Sequence, residues 1–314
     1  MNCSLCDGLQ HTRVADTDSK SGAALDVFLC ASCGLIQQLP LPSEEDLKQY
    51  YAKDYRIDYK QTRYPKSKHV FRSAHLASQR LDFLLGYGIK PTTLLDIGAG
   101  SGEFVTMAAR AGFRAEGIEP NLGYSEYART QYGVPVITGD LDTAQGSHDV
   151  VSLFHVLEHL RSPCDVFRRL HQLVSPGGRL FVEVPWILSG SVSPTNRYFK
   201  AHLYYFDVET LTAAASRHFE VVAVETRGNL RVLLEPRKTP GPLRLPPPGY
   251  AASALDRLSR NGWFHYITSG GGWLKPAAKI ARLVREGRIR GYSGERILAM
   301  FEAPSHDDRA LAKS

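Results

Sequence analysis

The stretch TTLLDIGAGSGEFVTMAARAG, residues 92–112, decides the fold. Leu94 to Ile97 reads as a buried strand, and a loop carrying Gly98, Gly100 and Gly102 follows. A helical pattern then runs from Glu103 to Arg110 and stops at Gly112. Glycines where a strand turns into a helix let the backbone approach a ligand closely. The first turn of the helix adds unpaired N–H groups. A second strand, RAEGIEP, ends in Glu119 and Pro120, 23 residues after Asp96, which makes one β-α-β unit. An acid at the end of that strand is placed to accept hydrogen bonds from both hydroxyls of a ribose.

Two features select the nucleoside. The loop lacks the lysine of a phosphate-binding loop. The first strand carries Asp96 at its end, which would repel a pyrophosphate and suits an ammonium or sulfonium. That combination points to S-adenosylmethionine rather than to a dinucleotide.

Further blocks follow in order: GDL (139–141), HDVVSLFHVLEHL (148–160) and SPGGRLFVEVP (175–185). With LLDIGAGSGEF (94–104) and GIEP (117–120), the chain over about 75–235 resembles the class I S-adenosylmethionine-dependent methyltransferases. With its amino-terminal CxxC…CxxC pairs and HVLEHL run, it is similar to a bacterial subgroup that often serves sugar, glycan or natural-product pathways. Ala99 stands where many relatives have cysteine, a small residue in either case. The resemblance implies a Rossmann-like α/β core with a mostly parallel seven-stranded sheet. It places Asp96, Gly98, Gly100 and Gly102 against the cofactor, Glu119 and Pro120 at the ribose, and Asp140 and Leu141 beside the adenine. Phe154 and His155 join the cofactor wall.

Four of the five cysteines form two Cys-x2-Cys pairs, Cys3/Cys6 and Cys30/Cys33. Two such knuckles complete a closed four-thiolate site for a structural Zn2+, with no open position for chemistry. A hairpin over Val14–Phe28 would absorb the length between them. Cys164 reads as a small buried residue.

Methyl transfer from a sulfonium is an in-line displacement, so the protein supplies alignment and, where needed, a base. The strand DVVSLF delivers His155, the first choice for a base or for orienting the acceptor, because neutral imidazole accepts a proton near pH 7. Glu158 and His159 follow, to fix the His155 tautomer or to cap and pack. NRYFKAHLYYFDVETL (196–211) has the aromatic and basic mix of a substrate lid, with His202 the second candidate base and Tyr204 a substrate contact. His159, Tyr51 and Tyr55 complete the expected substrate contacts.

Composition bounds the rest. In 314 residues, 43% hydrophobic and 22% charged content suits a folded chain with a sizeable core, and excludes a disordered chain, a coiled coil or a fibre. No apolar run reaches the length of a membrane-spanning helix and the amino terminus lacks a secretory pattern, so a cytoplasmic protein is expected. The net charge of +6 sits in the tail: Leu230–Ser314 carries 15 Lys and Arg against 7 Asp and Glu. There KPAAKIARLVRE (275–286) reads as a basic helix, suited to an anionic membrane surface or to a nucleotide- or lipid-linked sugar. RILAMFEA (296–303) reads as a last sheet strand.

The expected organisation is a zinc-ribbon module over 1–42, a linker and helical cap over 43–75, a cofactor-binding core over 76–236, and a basic helical cap with the last strand over 237–314. The expected activity is O-methylation of a sugar, glycan or sugar-containing small molecule. The alternatives are a nucleic-acid or protein methyltransferase that recognises its target through the ribbon, and a non-catalytic cofactor-binding module. Against nucleic acid, residues 1–42 hold only Arg13 and Lys20 as bases, and no DPPY- or NPPY-type sequence follows the fourth strand.

Overall fold

The computed structural model describes residues 2–49 and 64–302, so Tyr51 and Tyr55 lie outside the described residues. The alternating residues after the first cysteine pair form the expected hairpin. Strands β1 (His11–Thr17) and β2 (Ala24–Cys30) pair antiparallel, with His11 opposite Cys30. β3 (Ile36–Gln38) pairs antiparallel with β2, and the helix α1 (Glu44–Gln49) follows.

The chain divides into two compact units, Met1–Lys48 with Gln145–Ala278, and Gln49–Ala144 with Lys279–Ser314. In the second, α2 (Ser67–Gly86) buries Val70, Ala74, Ala77 and Leu84, a helical spacing that turns one apolar face inward. Each fully buried valine or leucine there contributes roughly 1.5–3 kcal/mol. β4 (Thr93–Ile97), α3 (Glu103–Arg110) and β5 (Arg114–Glu119) form the β-α-β unit read from the sequence, with β6 (Val136–Thr138) parallel to β5. α4 (Leu122–Tyr127) starts where the Asn121 side chain accepts a hydrogen bond from the Tyr124 amide.

In the first unit, β7 (His148–Phe154) and β8 (Val174–Pro185) run parallel, with α5 (Pro163–Leu173) between them in sequence. β9 (Tyr204–Tyr205) leaves this region and pairs with β3, giving a four-stranded ribbon sheet of order β1-β2-β3-β9. α6 (Val208–Ala215) is opened by a capping box between Asp207 and Thr210. β10 (Phe219–Glu225) and β11 (Asn229–Pro236) form a hairpin turned at Gly228, whose φ of +81° is open to glycine at no steric cost. The larger sheet has the order β10-β11-β8-β7-β4-β5-β6, mostly parallel and seven-stranded, as expected. α7 (Tyr250–Arg260) packs Ala251, Ala254 and Leu258 with Leu25, Val27, Leu29 and Ile36 of the ribbon sheet.

α8 (Trp263–Thr268), α9 (Lys275–Arg288) and α10 (Gly294–Ala299) end the described chain. α10 corrects one expectation, because its residues 296–299 fall in the stretch read as a last strand. Ser293 accepts the Arg296 amide as a helix cap, and Gly294, Ile297 and Leu298 are the buried positions, a spacing of three and four. No described helix is long and apolar enough to cross a membrane.

Candidate active site and metal centre

The glycine loop is built by backbone conformation. Gly98, Gly100 and Gly102 have φ of +76°, +58° and +86°, values that strain any other residue. A Cβ on Gly102 would stand 2.6 Å from the Ala128 Cβ. The amides of Gly98 and Ala99 donate to the Ile118 carbonyl at 2.8 and 2.9 Å, which locks the loop to β5. The Glu119 carboxylate, 2% exposed, accepts from the Gly100 amide at 2.9 Å and from the Asn121 amide at 3.1 Å. Asp96 is equally buried in β4, and Pro120 follows Glu119 directly. Asp140 caps the 3-10 turn Leu141–Thr143. α3 begins at Gly102 without a side-chain cap. The loop and its acid fit the nucleoside end of S-adenosylmethionine.

The second constellation gathers around His155, directly after β7. Its φ of +57° is left-handed, a conformation that costs a non-glycine residue on the order of 1–3 kcal/mol and is kept where the surroundings impose it. Its amide donates to the Glu183 carbonyl at 2.8 Å. Its Nδ1 lies 3.4 Å from Glu158 Oε1 and its Nε2 3.3 Å from Glu183 Oε1. Both carboxylates are buried, and Glu183 also accepts from Asn229 Nδ2 at 3.2 Å and Arg231 Nε at 2.7 Å. Burial disfavours a charged imidazole, but the two carboxylates outweigh it and raise His155 to about 9. Asn229 Nδ2, a donor, lies 3.2 Å from the same Nε2, so the Asn229 amide and the Glu183 carboxylate meet at one edge of the ring. Phe154, at the end of β7, packs edge-on against Phe181.

Glu158 and His159 sit on the 3-10 turn Leu157–His159. Burial works to raise Glu158, and His159 and His155 overcome it and hold the carboxyl at about 2. His202 is turned the other way: burial, with His159 beside it, lowers it to about 3, so its ring is neutral. Tyr204 is fully buried and donates its hydroxyl to Ser4 Oγ at 3.0 Å. It ties β9 to the ribbon, and that bond corrects its reading as a substrate contact.

Glu183, Asn229 and Arg231 were not singled out in the sequence. One signal was present, since an acid inside the apolar run LFVEVP has to find a partner once the strand is buried.

The four amino-terminal cysteines converge. Cys3 and Cys33 sulfurs are 3.5 Å apart, Cys6 and Cys30 sulfurs 3.6 Å, and all four lie within 4.8 Å of one another. A zinc tetrahedron with bonds near 2.3 Å has sulfur separations of about 3.8 Å. A Cβ on Gly8 would approach the Cys30 and Cys6 sulfurs to 3.1 and 3.2 Å, so only glycine leaves this corner open. The donor set fits a tetrahedral thiophilic ion.

Residues 68–224, half of the chain, match the family described as a methyltransferase domain, and the chain belongs to that family. A ubiquinone biosynthesis O-methyltransferase of Pseudomonas paraeruginosa is 32% identical over 126 residues, 37% of this chain and 50% of the relative. One of the same name from Azoarcus sp. is 27% identical over 217 residues, covering 66% of this chain and 79% of the relative. The chain thus spans about half the length of the first of these relatives. Among solved structures, the magnesium protoporphyrin IX methyltransferase of Synechocystis with bound S-adenosylhomocysteine is 16% identical, with a TM-score of 0.45 over 61% of this chain and 98% of that one.

Proposed function

We propose that this chain is an S-adenosylmethionine-dependent O-methyltransferase acting on a small molecule with an acidic hydroxyl. The carrying observation is the loop of left-handed glycines opening α3, together with the buried Glu119 that accepts two of the amides around it. Asp96, the three glycines and Glu119 with Pro120 would hold the cofactor, with Asp140 and Leu141 beside its adenine. When bound, the cofactor supplies an electrophilic methyl on a sulfonium.

His202, held low by burial and by His159 beside it, is too weak a base to remove a proton readily from an alkyl hydroxyl. A phenol-type hydroxyl ionises near pH 10 and makes a smaller demand. The relatives named for ubiquinone biosynthesis support O-methylation, and the expectation of a sugar acceptor has no counterpart among them. In this reading the His155 ring, held between Glu158 and Glu183, lines the acceptor site and orients the acceptor by contact.

Cys3, Cys6, Cys30 and Cys33 hold a structural zinc ion in this reading. α9 supplies a peripheral contact, because Ile280, Leu283 and Val284 are exposed beside Lys279, Arg282 and Arg285. Retention on vesicles containing anionic lipid at low salt, absent on neutral vesicles, is the expected behaviour.

The test is incubation with S-adenosylmethionine carrying a labelled methyl group and an extract divided into phenolic and quinone-type metabolites, sugars, nucleic acid and protein. Label in the first fraction is expected. Label in sugars would restore the carbohydrate reading, and label in nucleic acid or protein would make the ribbon a recognition element. Cofactor binding without label would indicate a non-catalytic module.

A further inference from the structure

We propose that Glu158, His159 and His202 form a second metal site, which takes a divalent transition-metal ion through one carboxylate oxygen and two imidazole nitrogens. One donor atom from each residue lies within 4.8 Å of the others. The Glu158 side chain is 1% exposed, and neither of its carboxylate oxygens makes a hydrogen bond. A buried carboxylate is costly unless it is completed; the neighbouring imidazoles offset part of that cost, and both oxygens keep lone pairs with no hydrogen bond on them. The nearest nitrogens, His155 Nδ1 at 3.4 Å and His159 Nε2 at 3.9 Å, flank it without bonding to it.

His159 shows which atom would ligate. Its Nδ1 is 2.7 Å from the Ala201 carbonyl, and a carbonyl only accepts, so Nδ1 carries the hydrogen. The lone pair of the neutral ring is then on Nε2, the atom turned toward Glu158. A ring nitrogen tied to a carbonyl, with the other left to ligate, is the usual support of a metal-binding histidine.

His202 is held in place just as firmly. Its ring meets that of His159 edge-on, with centroids 5.0 Å apart, and Phe199 at 5.4 Å and Tyr205 at 5.9 Å pack on its other sides. The loop that carries it is pinned from the ribbon sheet. Gln38 Nε2 donates to the carbonyls of Phe199, Lys200 and His202 at 3.3, 2.9 and 2.7 Å, and Asp18 Oδ1 accepts the Lys200 amide at 2.7 Å. Leu203 donates its amide to the Glu158 carbonyl at 2.8 Å, which joins the two halves of the site.

The donor set selects the ion. Two imidazoles and one carboxylate suit Zn2+, Co2+, Fe2+ or Mn2+, whereas Ca2+ asks for six to eight oxygens. Bonds of about 2.1 Å bring cis donors to roughly 3.0–3.4 Å apart, so a contraction of the triad accompanies binding. Three protein donors leave positions open, the arrangement of a reactive rather than a closed site. An ion there would acidify a coordinated hydroxyl. That last step rests on the O-methyltransferase reading, but the site itself does not.

Mn2+ separates this site from the thiolate cluster, which it does not favour. Titrating zinc-loaded, full-length protein with MnCl2 and following the free Mn2+ electron paramagnetic resonance signal should reveal one bound equivalent. His202→Ala and the milder Glu158→Gln should each weaken it at least tenfold, while zinc content stays at one equivalent. His171→Ala, a histidine away from the triad, should leave Mn2+ binding unchanged. Absence of binding in the unaltered protein, or binding that the His202 and Glu158 variants do not weaken, would overturn the proposal whether or not a variant folds well. S-adenosylhomocysteine binding is measured in parallel. Cofactor binding without Mn2+ binding sinks only the metal site, and Mn2+ binding without cofactor binding sinks only the methyltransferase reading.

Discussion

Glu183 stands between His155 and Arg231: its Oε1 lies 3.3 Å from His155 Nε2 and its Oε2 accepts from Arg231 Nε at 2.7 Å. The carboxylate is fully buried and the Arg231 side chain nearly so, at 14% exposure. Removing one partner of such a pair strands the other charge, at a cost of about 3–5 kcal/mol. Arg231→Leu should therefore lower unfolding free energy by about that amount. Arg231→Leu combined with Glu183→Gln should be less destabilised than the Arg231 change alone. Urea denaturation of the single and double variants checks this, and additive losses would refute the coupling.

Glu119 should decide cofactor affinity rather than stability. Glu119→Ala removes the acceptor for the Gly100 and Asn121 amides along with the predicted ribose partner. Hydrogen bonds to a charged group contribute about 1.5–3 kcal/mol, so S-adenosylhomocysteine should bind roughly 10- to 100-fold more weakly by calorimetry. Gly102→Val should do the same for a different reason, since its Cβ would meet Ala128 at 2.6 Å.

Cys33→Ser should release the metal and loosen the ribbon. The protein is expected to purify with one zinc ion that is lost in the variant, with the thermal midpoint falling. Binding to zinc-finger peptides releases about 10–16 kcal/mol, so even a fraction of that lost here is readily seen in a melt. Metal content unchanged from the unaltered protein would sink this assignment.

Asp18 should make the loop holding His202 sensitive to acid. Burial tends to raise its carboxyl, but Ser21 and the amides of Lys200 and Lys20 outweigh that and lower it below the usual 3.8. A lowered folded value means the contribution is complete above the ordinary value and fades as pH falls through the folded one. Asp18→Asn should thus narrow the stability difference between pH 6 and pH 3, measured by thermal melts, relative to the unaltered protein.

Local pattern made much of this legible. The span of α3, the ribbon hairpin, the end of β5 at Glu119 and the cysteine convergence all follow from spacing within a few residues of the feature concerned. What escaped reading depends on contacts far apart in sequence. Nothing near His155 announces that Glu183, from another strand, will stand beside its ring. Tyr204 looked like a lid because an aromatic run beside basic residues gives no sign of the strand it will join. RILAMFEA is short and apolar, and only the Ser293 cap with the buried Gly294, Ile297 and Leu298 distinguishes helix from strand.

The ribbon sheet has one more consequence, which concerns time. Its cysteines are synthesised well before its fourth strand, Tyr204–Tyr205, which is made only after β7 and β8. Closing so long a loop is slow compared with the local turn that gathers each cysteine pair. During synthesis the four thiols therefore meet before the edge that shelters them has arrived. An ion captured early would guard them against oxidation through that interval, so the centre would serve the chain during its making as well as in the finished fold.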